Sequence, residues 1–342
     1  MTVESGVGHG AGSEPTTAPP AETPVTLTRH ADKQASGLRL LAGAHLQRFG
    51  LPIVWLLVAA TFAIVEPTVF LTSGTFGTVF GSQSVLLVIS LALLVPFSAG
   101  EFDLSVAGVL SVTLVLIGFL NVKQGWPIVP TLLVAVAAGT LVGIVNAILV
   151  VGVGLDSMVV TLGMGTILLG AGVGINNETT AGLSPGLVNA VSTNYFTLPL
   201  SFLYGVILTG LMWYVFSYTP LGRYLYFVGS GRDVARLSGI SVSKIRAGSL
   251  IVSAAITSLG GVILAGTLGA ADPNVGSSYL LPAFAAAFLG STAITPGRFN
   301  PWGTFIAVYF LVTGVTGLNL LGLTGWIEQL FYGTSLIVAI TF

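Results

Sequence analysis

The 342-residue chain contains no cysteine, which excludes disulfides, thiolate metal sites and thiol nucleophiles. Charge is nearly as scarce. Asp, Glu, Lys and Arg together make up 7% of residues, against about a quarter in soluble proteins. So few ionisable groups cannot cover the surface of a soluble fold of this size. Histidine occurs only at positions 9, 30 and 45, without the spacing of metal ligands. A Ser-His-carboxylate set is therefore missing from the main body of the chain. No G-x-x-x-x-G-K-[ST] string occurs, so nothing here cradles nucleotide phosphates. The net charge of −1 offers no basic surface for nucleic acid.

What remains is apolar. Hydrophobic residues make up 54% of the chain and the mean hydropathy is +0.96. The 45 glycines suit closely packed membrane helices, where small residues let backbones approach. These features predict an all-α polytopic membrane protein. The start of the chain is of a different composition. "MTVESGVGHGAGSEPTTAPPAETPVTLTRHADKQASG" is rich in Gly, Ser, Thr, Pro and Ala and has no apolar periodicity. Residues 1–48 are expected to form a disordered cytoplasmic tail, and 49–342 the membrane domain. The tail lacks the apolar core of a cleavable signal peptide and is expected to be retained.

A helix needs about 20 residues to cross ~30 Å of hydrocarbon. Apolar segments fall at 51–66, 78–98, 104–120, 130–152, 157–175, 198–217, 247–268, 280–293, 302–320 and 326–342, giving about ten spans. Pro96 and Pro282 lie inside such segments and predict broken or kinked helices. Lys and Arg set the orientation. With a cytoplasmic N-terminus, Arg29, Lys33, Arg39, Arg48 and Arg298 all lie inside, and Lys123 alone lies outside. After six spans the chain returns to the cytoplasm at 219, where Arg223, Arg232, Arg236, Lys244 and Arg246 cluster. Strings from Gly139 and Gly303, and from Gly165 and Gly333, align loosely, which points to two related halves of four spans.

The segment 219–246 carries helix punctuation. Ser230 and Asp233 fit a capping box, and Gly239 stands where a left-handed cap would close, with Ile240 against Val234 or Ala235. About two turns lie between, too few to persist alone in water. Val234 and Leu237 share a face, while Arg232 and Arg236 form a like-charged i, i+4 pair that needs an outside neutraliser. Docking onto an acidic, grooved protein and contact with lipid headgroups both fit these residues. A plain topology anchor would need no such structure. Arg246, beyond the helix, is expected to be a spare topology charge.

"TPLGRYLYFVGSGRDVARLSGISVSK" resembles the cytoplasmic segment of ribose-type sugar permeases of ATP-binding-cassette (ABC) importers. "AGEFDLSVAGVLSV", "GTLVGIVNAILVVGVGLDSMVVTLGMGTILLG" and the C-terminal "PWGTFIAVYFLVTGVTGLNLLGLTGWIEQLFYGTSLIVAI" resemble further blocks of that family. The likeness runs from about residue 50 to the end. It implies a coupling helix over 231–238 that seats in an ABC ATPase subunit, with Arg232, Asp233, Val234, Arg236, Leu237 and Gly239 as the coupling residues. It also implies a second permease copy, a periplasmic or lipid-anchored sugar-binding protein, and location in the bacterial cytoplasmic (inner) membrane. ATP and Mg belong to the partner ATPase; this chain is expected to hold no cofactor and to be no enzyme. Two departures stand out. Glu101 and Phe102 occupy the place of a single residue before Asp-Leu-Ser, and Pro282 and "TPGRFNP" replace a Gly-rich pattern.

An ion-coupled secondary transporter of a small polar solute is the rival reading, since such proteins hold ionisable residues within the membrane. Glu101, Asp103, Asp156 and Glu328 are its candidates, and each also fits a carboxylate capping a helix start. A sugar path needs neutral hydrogen-bonding groups. Asp103, Ser105, Asn146, Thr161 and Asn319 are the candidates, with Asn176, Asn177, Thr313 and Thr316 beside them; interhelical hydrogen bonding explains each equally well. The polar stretch 176–199 is expected to be an outer loop, where Glu66, Glu178 and Asp272 give a negative lean for receptor docking.

Overall fold

The computed structural model describes residues 48–195 and 198–341. The expected tail, with its three histidines, lies outside the described residues apart from Arg48, which already belongs to the first helix. That helix, α1, runs Arg48–Val65. Two short helices follow, α2 (Pro67–Phe70) and α3 (Ser73–Gly77), and then a π-helical turn, Thr78–Ser82. The long helices begin with α4 (Ser84–Ser98), α5 (Val106–Gly118), α6 (Ile128–Ala147) and α7 (Ser157–Ile175). The next group is α8 (Pro185–Ser192), α9 (Leu200–Tyr218), α10 (Pro220–Ser230), α11 (Arg232–Leu237) and α12 (Val242–Leu268). The chain finishes with α13 (Leu280–Ser291), α14 (Pro301–Leu320) and α15 (Trp326–Thr341). Among the described residues eight helical segments are long and apolar enough to cross a membrane; the shorter apolar helix that contains α13 and the 16-residue α15 fill the two remaining places. All ten predicted segments are helical.

Local chemistry explains the ends of these helices. Asp156 caps α7, its carboxylate accepting from the N–H groups of Met158 (2.9 Å) and Val159 (3.1 Å). Asn300 does the same for α14 through Gly303 N–H at 2.7 Å. The two prolines break no span. Pro282 falls in the first turn of α13, just where the 3-10 turn Val275–Tyr279 passes into the α-helix. Pro96 sits in the last turn of α4, and its carbonyl accepts from Ala99 and Glu101 as the helix ends. Interruptions come instead from π turns at Thr78–Ser82, Phe119–Lys123 and Ile148–Val153.

α4 forms the centre. It is apolar all round and every one of its residues is buried, because protein rather than lipid surrounds it. α12 packs along it and also along α5 and α6. The α6–α12 approach depends on glycine: a Cβ on Gly139 would lie 2.0 Å from Ser258 Oγ. Neighbour relations recur between two sets of four. α5 packs on α6 and α7 as α13 packs on α14 and α15, and α5 meets α12 as α13 meets α4. The glycine strings fall on α6 and α14 and on α7 and α15. Matched helices lie five spans apart and therefore run in opposite directions, the relation of inverted halves.

The stretch 176–199 is more ordered than a loop. It contains α8 and the strands β1 (Thr180–Ala181), β2 (Asn194–Tyr195) and β3 (Leu198–Pro199). β1 pairs antiparallel with β4 (Ala270–Ala271), and β2 with β3. Val191 and Leu187 of α8 are buried, and Ser192 Oγ donates to the Gly266 carbonyl at 3.1 Å, which seats the segment on the end of α12.

Candidate functional site

Alternation of the spans sorts the connections into two ends. One end gathers seven of the eight described Lys and Arg residues: Arg48, the five of 223–246, and Arg298. Cross-links hold it together, among them Ile294 N–H to Arg48 O (3.0 Å) and Tyr226 OH to the Phe299 carbonyl. The other end carries Lys123 with Glu66, Glu178, Asp272 and Glu328.

At the basic end the connection Ala99–Ser105 folds inward between α4 and α5. Glu101 is 1% exposed and pairs with two arginines, Arg232 of α11 (2.7 Å) and Arg246 of α12. Arg232 also donates to the Gly100 carbonyl at 3.0 Å. Arg246 is thus a structural partner of a buried carboxylate and not a spare topology charge. The expected like-charged pair of α11 is likewise dissolved from within, because Arg232 turns to Glu101 and leaves Arg236 exposed by itself.

α11 is capped differently from expectation at its start and as expected at its end. No Ser230–Asp233 capping box forms. Ser230 is still the last residue of α10, so its hydroxyl bonds back to the Tyr226 carbonyl (2.8 Å), and Gly231 takes the N-cap. At the other end Gly239 has φ +80°, with Gly239 N–H on Arg236 O and Ile240 N–H on Ala235 O, both 3.0 Å. This is a Schellman closure. Ala235 packs inward with Val228 and Val242, and Ile240 closes over them. Val234 and Leu237 point away, 60% and 90% exposed.

Next to Glu101 lies a buried polar knot. Asp103, 1% exposed, accepts through Oδ1 from the Ser105 N–H (3.1 Å) and hydroxyl (2.6 Å), and through Oδ2 from the Ser253 hydroxyl (2.8 Å). Asn146 Nδ2 donates to Ser105 Oγ at 2.9 Å, and its Oδ1 has no partner among the described residues. Asp103 therefore joins α5, α6 and α12 and does not cap a helix start. Burial pushes its carboxyl above the ordinary 3.8, and the hydrogen bonds from Ser105 and Ser253 pull it back. Thr161 accepts from Leu104 N–H (3.0 Å) and Ser157 from Phe102 N–H (3.2 Å), stitching the same connection to α7.

Four of the five expected path residues thus converge on one spot; Asn319 does not. It lies at the acidic end and donates to Glu328 at 2.8 Å. Asn176 also belongs there, bonded to Lys123 and, at 2.8 Å, to Thr180. Thr313 accepts from the Trp55 indole at 3.0 Å. Glu178 and Asp272 stand on the two segments joined by the β1–β4 pair, where Thr179 donates to Asp272 at 3.2 Å, while Glu66 sits at the start of α2. Sequence reasoning missed Ser253, Ser157 and the Glu101–Arg246 pair. Serines on apolar helices carry no local signal of which partner they will meet.

A multi-pass helical body with one end wired through buried carboxylates into its spans is the membrane component of a transporter. Residues 74–340 match the family described as branched-chain amino acid transport system / permease component, and the chain belongs to that family. It is the permease subunit of an ABC importer. Similar proteins include a D-allose transport system permease protein of Escherichia coli K12, 26% identical over 86% of this chain and 90% of the relative. A ribose import permease protein of the same strain is 27% identical over 89% of this chain and 96% of the relative. A fructose import permease protein of Rhizobium meliloti is 25% identical over 84% and 82%. No solved structure matches the chain.

Proposed function

We propose that this subunit passes a monosaccharide or sugar-like solute inward, that its basic end is cytoplasmic, and that α11 is the coupling helix that docks the ATPase. Relatives named for allose, ribose and fructose import support the solute class. The placement of seven of eight described cations at one end supports the orientation. The observation that carries the docking reading is the position of Glu101. It holds Arg232 of the outward helix and Arg246 of a spanning helix at once, so a push on α11 reaches α12 and the Asp103 knot directly. Val234 and Leu237 remain exposed on α11 as an apolar contact, and Arg236 stands free for an acidic or carbonyl acceptor. A second copy of the chain completes the pathway, and an extracytoplasmic binding protein delivers the solute to the acidic end. ATP and Mg sit on the ATPase.

Leu237→Asp tests this. Truncating or charging a desolvated interface anchor costs over ~1–2 kcal/mol of binding, so the variant should insert normally yet lose the ATPase on co-purification and lose uptake. Stoichiometric ATPase with full ATP-driven uptake in Leu237→Asp would reduce α11 to a topology anchor and place the ATPase contact elsewhere.

A further inference from the structure

Between α9, α10 and the turn joining α13 to α14 lies a cavity of about 430 Å³ that the transport reading does not use. Arg223 and Arg298 both line it, together with Trp213, Tyr226, Thr295 and Trp302, and no carboxylate does. Arg223 makes no hydrogen bond or ion pair among the described residues, whose ion pairs both involve Glu101. The Arg298 guanidinium lies 5.5 Å from the centre of the Tyr226 ring, a contact that fixes it without cancelling its charge. α14 adds the positive end of a 20-residue helix, since Pro301 and Trp302 of its first turn face the same space.

The turn is built, not slack. Asn300 is buried and donates to the carbonyls of Ala293 (3.0 Å) and Arg298 (3.1 Å). Ile294, which lines the cavity, has φ +63°, the one positive value at a non-glycine among the described residues. Such strain persists where the surroundings over-determine it, often at ligand clamps.

The cavity also lies at the end of a span, α9, whose Trp213, Phe216 and Ser217 line it. α9 ends in an aromatic cluster, Trp213 and Tyr214 each packed on Tyr218 with ring centres 5.2 and 5.8 Å apart, of the kind found at membrane interfaces. Phe216 separates the cavity from an apolar groove of about 360 Å³ lined by Met212, Leu221 and Leu225, with Lys244 at its edge. Two unneutralised guanidiniums beside an acyl-sized groove match one amphipathic ligand better than a protein carboxylate.

We propose that this cavity binds the phosphate headgroup of an anionic phospholipid, gripped by Arg223 and Arg298. Basic pockets between membrane helices take such headgroups. The site requires only that this end of the spans lies in a headgroup layer, whichever side of the membrane that is, so it stands apart from the docking role of α11. Its consequence is bracing: α10 leads straight into α11, and a bound lipid fixes the angle at which α11 is presented.

The test is native mass spectrometry of the purified full chain with dioleoylphosphatidylglycerol, dioleoylphosphatidylcholine or inorganic phosphate added. Phosphatidylglycerol should be retained, phosphatidylcholine should not, and phosphate should fail to displace the lipid. Arg223→Gln should lower retention roughly tenfold, the loss of one charge-assisted hydrogen bond, while Arg223→Lys retains part of it. Because Arg223 has no described partner, its replacement leaves the fold intact. Lys123→Gln, at the opposite end, should change nothing. Equal retention of both lipids, or undiminished retention in Arg223→Gln, overturns the proposal. Displacement by phosphate alone reassigns the cavity to a free anion. Loss of the ATPase from Arg223→Gln with lipid retention unchanged reassigns it to a protein carboxylate.

Discussion

The two ends of the molecule handle negative charge in opposite ways. At the basic end Glu101 and Asp103 are each 1% exposed, and each ties the connection it stands in to the spanning helix α12, Glu101 through Arg246 and Asp103 through Ser253. At the acidic end Glu178 is exposed and Asp272 half-buried, the Asp272 carboxylate accepting from the Thr179 hydroxyl and the nearby Asn274 N–H of the surface connections. A carboxylate taken out of water must be matched by cations or several donors, so its position fixes the surrounding helices. A surface carboxylate fixes little and remains available to a partner. The basic end is therefore cross-linked through its buried carboxylates, and the acidic end keeps Glu178 and Asp272 at its surface.

Removing the cross-link should have the largest effect. Glu101→Ala leaves two guanidiniums facing a buried gap, and breaking such a pair costs roughly 3 kcal/mol. Thermal unfolding in detergent should fall sharply and uptake should be lost even where protein is recovered. An unshifted melting curve with normal uptake would erase the contrast between the ends.

Arg246→Ala should come next. Its side chain is 18% exposed against 46% for Arg232, so it is the better-shielded partner. Its loss should cost about 1–2 kcal/mol, leaving Glu101 with Arg232 only. Arg232→Ala should be milder by the same measurement, because a half-exposed ion pair is screened by solvent. A silent Arg246→Ala would return that residue to the role of a topology charge.

The smallest effect on folding belongs to the other end. Glu178→Gln with Asp272→Asn should change stability by less than about 1 kcal/mol. Receptor docking should nevertheless weaken, and more so at low salt, where a Debye length near 30 Å leaves surface charge unscreened. Binding measured at two ionic strengths decides it; equal affinities for wild type and double variant at low salt would remove the acidic end from recognition.

The departure from the family pattern at Glu101 was visible in the sequence as an extra residue before Asp-Leu-Ser, but its role was not. Its partners lie 131 and 145 residues further along the chain. The capping box failed for a related reason: whether Ser230 starts α11 or ends α10 depends on how α10 packs, which the local string does not specify. The short span Leu280–Ser291 and the ordered segment around α8 show the same limit. An apolar run gives a helix, but not where its neighbours begin.

Sequence alone determined the ten helical segments, because a run of apolar residues in lipid must satisfy its backbone internally. It determined which end is basic, because the placement of eleven Lys and Arg along the chain and the alternation of spans leave one arrangement. It determined the end of α11, because Gly239 alone there adopts the left-handed turn without strain. Only the tertiary structure decided that Arg232 and Arg246 share Glu101, that Asp103 meets Ser253, and that Asn319 stands apart from the polar knot. Those are contacts between helices distant in the chain, and a side chain's partner across such a gap is fixed by packing geometry rather than by the residues beside it.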